Sequence, residues 1–318
     1  MYKGKVLFID TTHPLLPQML EDAGFLCEHF LLTDKKDCEQ IIHEYDIAII
    51  RSKFYIDEEF FSYAAKLKII GRVGSGLENI DLHAAKKHHV ICLNSPEGNR
   101  DAVGEHAIGM LLALNNKLCI ANNQVRRGIW LREENRGTEI RGKTIGIIGF
   151  GNMGRSFAEK LMGFGCNIIA YDKYKSQYAP FYVTEVNNLE IILQESDIIS
   201  LHVPLTNETQ YMVNKDFLNK CKQNAIIINT SRGKVLETAA LVQSMKEEKI
   251  YGACLDVSEF ESTSFEEAAI QNPDFAWLCQ SDKVILTPHI AGWTHESNIK
   301  LSRILAEKVI QSFAATTN

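Results

Sequence analysis

The sequence predicts an α/β protein of two doubly wound domains, and three observations carry that reading. Strand and helix signals alternate along the chain, which predicts parallel sheets covered by helices. A run of strand, glycine turn, helix, strand and acid lies between Lys143 and Asp172. Polar residues stand just past the carboxyl ends of successive strands, where open α/β sheets bind their ligands.

In the first hundred residues, Val6–Ile9, Ile47–Ile50, Ile69–Ile70 and Val90–Leu93 read as strands. Leu15–Ala23, Glu58–Ala65 and Leu82–Lys87 read as helices between them, and no glycine fingerprint interrupts this first unit. The turn-rich Asn94-Ser95-Pro96-Glu97-Gly98-Asn99 marks a boundary. Asp101–Arg127 then reads as one long helix capped by Asn99 or Asp101.

Thr144–Ile148 is an apolar, β-branched run of the length of one buried strand. Gly149, Gly151 and Gly154 follow as G-x-G-x-x-G, and Phe157, Ala158, Leu161 and Met162 recur at helical spacing. Gly149 permits the tight turn, Gly151 lets a pyrophosphate approach the backbone, and Gly154 lets the helix lie close on the strand. The N–H groups of Asn152 and Met153 open that helix with its positive dipole end. Asp172, 18 residues after Gly154, follows the strand Ile168–Ala170 and is placed to hold the ribose hydroxyls of a dinucleotide. Its carboxylate would repel a 2′-phosphate, so the site is expected to take NAD in preference to NADP.

Gly137–Thr144 matches G-x-x-x-x-G-K-[ST] letter for letter. A phosphate loop of that form needs a strand before it and a helix after it. Here Lys143-Thr144 leads into a strand, so the segment is read as a connecting loop. Further on, Ile198–Leu201 ends at His202-Val203-Pro204, and Ala225–Asn229 ends at Thr230-Ser231-Arg232-Gly233. Gly252–Leu255 ends at Asp256, Val284–Leu286 ends at Thr287-Pro288-His289, and residues 296–313 make a final amphipathic helix.

Composition narrows the class. A net charge of −6 offers no basic footprint for nucleic acid or an anionic membrane. No apolar run reaches the roughly 18 residues of a membrane span. The opening M-Y-K-G-K-V-L-F-I-D reads as a strand and not as a signal peptide. The eight cysteines are scattered without C-x-x-C, as expected of reduced thiols in a cytoplasmic protein. No metal site is expected.

Arg232, Glu261 and His289 stand on the ligand side of the second sheet and together suit oxidation of a hydroxyl to a ketone. A histidine titrates in the range that lets it accept the hydroxyl proton while hydride leaves carbon. A nearby carboxylate would orient the imidazole and favour its charged form. A guanidinium can grip a carboxylate at two points and polarise the adjacent carbonyl.

The chain resembles the D-isomer-specific 2-hydroxyacid dehydrogenases, and among them the phosphoglycerate dehydrogenases. The likeness rests on R-V-G-S-G-L-E-N-I-D (72–81), N-S-P-E-G-N (94–99), the segment 137–155, L-H-V-P-L-T (201–206), N-T-S-R-G (229–233), C-L-D-V (254–257) and T-P-H-I-A-G (287–292). The resemblance implies a flavodoxin-like, split substrate domain of residues 1–98 and 293–318 and an NAD-binding Rossmann domain of residues 99–292, with cofactor and substrate in a cleft between the two. It assigns catalysis to Arg232, Glu261 and His289. NAD contacts fall on Gly149, Gly151, Asn152, Met153, Gly154, Asp172, His202, Pro204, Thr209, Thr230, Asp256, His289 and Gly292. Substrate contacts fall on Arg51, Ser52, Lys53, Ser75, Gly76, Asn99 and Arg232. It further implies a homodimer joined through the nucleotide domain, and conversion of 3-phosphoglycerate to 3-phosphohydroxypyruvate, as in serine biosynthesis.

The chain departs from the family in two places. Glu261 is followed by Ser262 where the family has proline, and Thr263–Leu278 does not match, which leaves Glu259 as the alternative carboxylate. Trp293 stands where a smaller residue is usual. The alternative functions are a glyoxylate or hydroxypyruvate reductase, and a non-catalytic, NAD-sensing protein resembling transcriptional co-repressors.

Overall fold

A computed structural model describes residues 2–31, 34–261 and 271–316. The chain forms two compact units. The first takes in the described residues up to Asn99 and those from Trp293 onward, and the second takes in those from Arg100 to Gly292.

In the first unit the order is β1 (Lys5–Phe8), α1 (Leu15–Asp22), β2 (Leu26–His29), α2 (Lys35–Ile41), β3 (Ile47–Ile50), α3 (Glu58–Tyr63), β4 (Ile69–Arg72), α4 (Leu82–Lys87) and β5 (Ile91–Asn94). The five strands among its described residues are parallel, in the flavodoxin-like order β2-β1-β3-β4-β5. The pleat sends successive side chains to opposite faces, and both faces are covered, so the strands read as continuous apolar runs. Val6, Phe8, Ile47 and Ile49 pack with Leu16 and Leu20 of α1 and with Leu301, Leu305 and Val309 of the C-terminal helix His295–Thr316. Leu7, Ile9, Ala48 and Ile50 pack on the other side with Phe60, Phe61 and Ala84. Asp34, Asp57 and Asp81 cap α2, α3 and α4 by accepting from backbone N–H groups of the first turn.

The second unit holds α5 (Arg100–Asn115), α6 (Leu118–Arg126), β6 (Thr144–Ile148), α7 (Asn152–Leu161), β7 (Asn167–Tyr171), β8 (Thr184–Glu185), α8 (Leu189–Glu195), β9 (Ile198–Leu201), α9 (Lys215–Lys220), β10 (Ala225–Asn229), α10 (Thr238–Lys246), β11 (Ile250–Leu255), α11 (Pro273–Gln280) and β12 (Val284–Leu286). Its seven strands among the described residues are parallel, in the order β12-β11-β10-β9-β6-β7-β8. That is the Rossmann sequence with one strand added, and its order reverses between β6 and β9. Ile145, Ile147, Ile226 and Ile228 face α5 and α7, while Ile148, Ile199, Leu201 and Ile227 face α8, α9 and α10.

Two sequence expectations are corrected. Asp101–Arg127 is two helices, because the chain breaks at Lys117, which takes a left-handed φ of 52°. The Asn115 carbonyl accepts from Thr138 N–H at 2.9 Å, so a tertiary bond replaces the helical one there. The sequence reading also passed over β2 and α2. The first is a half-exposed edge strand with no β-branched residue, and the second is the polar segment K-K-D-C-E-Q-I. Residues 137–143 form no helix and run directly into β6, as a connecting loop does. Ser262 and the first part of the departing stretch after it lie outside the described residues.

Candidate active site

In the second unit the loops after β6 and β9 meet where the strand order reverses. Gly149 leaves β6 with φ 90°, and a Cβ there would stand 2.4 Å from the His202 carbonyl oxygen. Only glycine permits both the turn and this approach. Gly151 follows at the start of α7, and no described atom outside its chain neighbours lies within 4 Å of where its Cβ would be. No side chain of a described residue caps α7, so the N–H groups of Asn152, Met153 and Gly154 open the helix without a side-chain partner. Asp172 ties the next strand to this loop. Its Oδ2 accepts from Phe150 N–H at 2.9 Å, its Oδ1 from Tyr174 N–H at 3.1 Å, and Lys175 Nζ lies 3.7 Å away.

Other sequence-singled residues have protein partners of their own. The His202 imidazole turns inward, with Nε2 2.9 Å from the buried Ser200 hydroxyl and its ring against Phe157. Burial pushes this imidazole down to about 3. The unfolded chain therefore binds a proton below about pH 6.5 that the folded ring refuses. Stability should fall as pH drops from there toward about 3, by at most about 1.4 kcal/mol per pH unit. Thermal unfolding at neutral and mildly acidic pH checks this, and His202→Gln should flatten the curve.

Thr209 donates to the Pro204 carbonyl at 2.6 Å and so closes the loop after β9 on itself. Thr230, at the end of β10, is buried, and its hydroxyl has no hydrogen-bond partner among the described residues. A buried hydroxyl of that kind, an open cradle at Gly151 and an uncapped helix start together fit a dinucleotide laid along the carboxyl ends of these strands.

The turn after β10 is built by Asn229. Its side-chain oxygen accepts from the Ser231 N–H at 3.0 Å and hydroxyl at 2.8 Å, and its amide donates to the Arg232 carbonyl at 3.0 Å. Arg232 is half-buried, with Nη1 donating to the Ser231 carbonyl at 2.7 Å. A Cβ on Gly233 would fall 1.9 Å from the Ser258 carbonyl oxygen, so this glycine lets the Arg232 turn lie against the turn that carries Glu261. Glu261 accepts from Ser258 N–H through Oε1, and its Oε2 lies 2.8 Å from His289 Nδ1. Glu259 is engaged elsewhere: its Oε1 accepts from Thr238 N–H at the start of α10.

His289 sits in the left-handed region at φ 55°, a strained setting for a residue with a side chain. Asp256 holds it there. The Asp256 carbonyl accepts from His289 N–H at 2.7 Å, and its buried carboxylate accepts from Ile290 and Ala291 N–H and from the Thr287 hydroxyl. His106 Nε2 completes the cluster 3.0 Å from Thr287 Oγ1. Sequence reading missed His106, which lies beside Glu105 in the middle of a mostly apolar helix and carries no motif. Gly292 ends the turn, and the chain then enters the first unit at Trp293.

In the first unit the strand order reverses between β1 and β3, and Arg51-Ser52-Lys53 follows β3 there. Asp10, just past β1, gathers the three residues: its Oδ2 accepts from the N–H groups of Arg51, Ser52 and Lys53 at 2.6, 3.2 and 3.4 Å. The rule that singled out residues 51–53 would have found Asp10 too, since it ends the first strand. Lys53 Nζ donates to the carbonyls of Ile9 and Leu31, and the Arg51 guanidinium lies 4.4 Å over the Trp293 ring. The Ser75 hydroxyl donates to Asn99 Oδ1 at 3.0 Å, and Asn94 donates to the Ser75 carbonyl beside Gly76. The structure thus groups the sequence-singled residues in two sets: Arg232, Glu261 and His289 with the glycine turn in the second unit, and Arg51 to Lys53, Ser75, Gly76 and Asn99 in the first.

Residues 108–291 match the family model for the NAD-binding domain of D-isomer-specific 2-hydroxyacid dehydrogenases. The chain is 36% identical over 291 residues to the hydroxypyruvate reductase of Thermotoga maritima, covering 92% of this chain and 91% of that one. It is also 36% identical over 276 residues to the D-3-phosphoglycerate dehydrogenase of Archaeoglobus fulgidus, covering 86% of this chain and 51% of the relative. It thus spans about half the length of the curated phosphoglycerate dehydrogenases it matches. Among solved structures, an acyclic imino acid reductase in complex with NADPH and D-Arg superposes with a TM-score of 0.85 at 27% identity, covering 98% of this chain and 97% of that one. The two parallel-sheet units, the glycine turn and these likenesses agree: the chain belongs to the D-isomer-specific 2-hydroxyacid dehydrogenase family.

Proposed function

We propose that this protein moves a hydride between NAD and C2 of a D-2-hydroxyacid, with 3-phosphoglycerate and 3-phosphohydroxypyruvate as the substrate pair. The observation that carries the reaction is the His289–Glu261 pair, 2.8 Å apart beside the turn that presents Arg232. Gly149, Gly151, Asn152, Met153, Gly154, Asp172, Pro204, Thr209, Thr230 and Gly292 would hold the cofactor, with the His202 and Asp256 backbones shaping its loops. Bound NAD supplies the hydride acceptor for oxidation, and NADH the donor for reduction.

In oxidation His289 takes the hydroxyl proton as the C2–H bond gives up its electron pair, and the C2–O bond becomes a carbonyl. Because Nδ1 is bound to Glu261, the exchange is assigned to Nε2. Glu261 fixes the ring's orientation and offsets the positive charge it gains. Arg232 grips the substrate carboxylate and polarises the neighbouring carbonyl, helped by backbone N–H groups near Ser75 and Gly76. Arg51, Ser52 and Lys53 take the distal phosphate. Their position where the first sheet's strand order reverses supports that role.

Arg51→Ala separates this reading from a broader one. It should cost 3-phosphohydroxypyruvate about 10–100-fold in kcat/KM, the worth of a charged hydrogen bond, and should leave hydroxypyruvate nearly unchanged. Equal losses would remove the phosphate from the account. A second reading, a glyoxylate or hydroxypyruvate reductase, is favoured by the Thermotoga maritima relative, which matches over nearly its whole length.

Assembly as a homodimer through the second unit belongs to the same proposal. Its support is a run of exposed apolar side chains on and after α6: Leu118, Val125, Ile129, Trp130 and Leu131. A cytoplasmic setting is supported by eight scattered cysteines that make no C-x-x-C motif. No helix among the described residues is long and apolar enough to cross a membrane.

A further inference from the structure

We infer that Trp293 is a specificity-determining positioning residue, whose indole face holds the Arg51 guanidinium in place for an anionic group at the distal end of the substrate. The inference rests on the role proposed for Arg51. It goes further by assigning the setting of that cation to a residue outside the Arg51–Lys53 run.

The Arg51 backbone is fixed first. Its N–H donates to Asp10, and its carbonyl accepts from Arg72 Nε at 3.1 Å and Asn79 Nδ2 at 3.2 Å. These bonds anchor the Cα but not the end of a long, rotamer-rich side chain. At the guanidinium, Nη1 reaches the Thr11 carbonyl at 3.5 Å. The Trp293 ring, centred 4.4 Å from the guanidinium carbon, covers one face of it.

Trp is the strongest partner for such a contact. Stacking occupies the face of the planar cation and directs its in-plane N–H donors elsewhere, the geometry that suits a phosphate or carboxylate. Trp293 is itself held within the first unit: just after it Thr294 and Ser297 exchange hydrogen bonds at the start of the C-terminal helix, Thr294 N–H to Ser297 Oγ at 2.9 Å and Ser297 N–H to Thr294 Oγ1 at 3.0 Å. The indole remains 58% exposed, so its conspicuous partner is a cation and not a core.

The test uses the full chain and four variants: Trp293→Leu, which keeps apolar bulk but has no π face, Trp293→Phe, which restores one, Arg51→Ala, and the Trp293→Leu/Arg51→Ala double variant. Thermal unfolding and NADH binding by fluorescence are measured for each, with kcat and KM for 3-phosphohydroxypyruvate and hydroxypyruvate. Trp293→Leu should raise KM for the phosphorylated acid roughly three- to fivefold, the scale of an exposed cation–π contact, with kcat, NADH affinity and hydroxypyruvate KM preserved. Trp293→Phe should recover most of the loss, and Trp293→Leu should add nothing once Arg51 is gone.

If Arg51→Ala discriminates between the two acids and Trp293→Leu does not, or if Trp293→Leu harms both equally, the inference is overturned and the proposed substrate stands. If Arg51→Ala fails to discriminate, the proposed substrate falls and the role of Trp293 with it.

Discussion

Replacing His289 by Ala is expected to leave NADH affinity nearly intact and to cut turnover about 10²–10⁴-fold, the usual worth of a positioned acid–base group. The two effects separate because the imidazole stands at the tip of a turn that Asp256 builds through backbone bonds. Asp256 accepts from Ile290 and Ala291 N–H and from Thr287, and none of these bonds uses the His289 ring. The variant should therefore fold, and thermal unfolding close to that of the parent confirms it. Glu261→Gln should reproduce part of the loss, because it keeps a hydrogen-bond partner for Nδ1 but removes the negative charge. Steady-state kinetics with parallel NADH titration checks both. A His289→Ala enzyme with near-normal turnover would remove the acid–base role.

The second large effect separates two glycines of one turn. A Cβ on Gly154 would stand 2.1 Å from the Gly149 carbonyl oxygen and 3.1 Å from Ile147 Cγ2. Both are fixed in or beside β6, so Gly154→Ala must push α7 off the sheet. Overpacking of this kind typically costs about 1–3 kcal/mol, occasionally more. The variant should melt lower and lose NADH binding with it. Gly151→Ala meets nothing among the described residues and should fold normally. It should nonetheless lose NADH affinity, because the new methyl fills the space where a pyrophosphate would lie against the backbone. Unfolding curves and NADH fluorescence titrations of the two variants distinguish these outcomes. Normal NADH binding by Gly151→Ala would place the cofactor elsewhere.

What the sequence made legible follows the reach of local physics. The β6–α7–β7 segment is readable because a β-branched run, three glycines and a helical apolar repeat all act within thirty residues. The alternation that implies parallel sheets is likewise local, and the observed strand orders agree with it. Edge elements were less visible. β2 pairs with β1 alone and carries Leu26, Cys27, Glu28 and His29, with no signal beyond one weak apolar alternation. The break at Lys117 depends on Thr138 N–H capturing a carbonyl from 23 residues upstream, which no propensity scale records.

At the site, strand ends located Arg232, Glu261 and His289, but not the contacts between them. Whether Glu259 or Glu261 meets the imidazole depends on a single turn, in which Ser258 N–H bonds Glu261 while Glu259 is drawn to Thr238. The stacking of Arg51 on Trp293 joins residues more than two hundred positions apart, and only the fold reveals it.

Hydride transfer to C2 of a 2-keto acid can be followed with deuterium. NADH carrying deuterium at both C4 positions of the nicotinamide is incubated with the protein and 3-phosphohydroxypyruvate, and the product is examined by mass and configuration. Deuterium is expected at C2 of D-3-phosphoglycerate, formed more efficiently than the corresponding products of hydroxypyruvate or glyoxylate. Product without deuterium at C2, product of the L configuration, or no NADH oxidation with any of the three acids would contradict the proposed function.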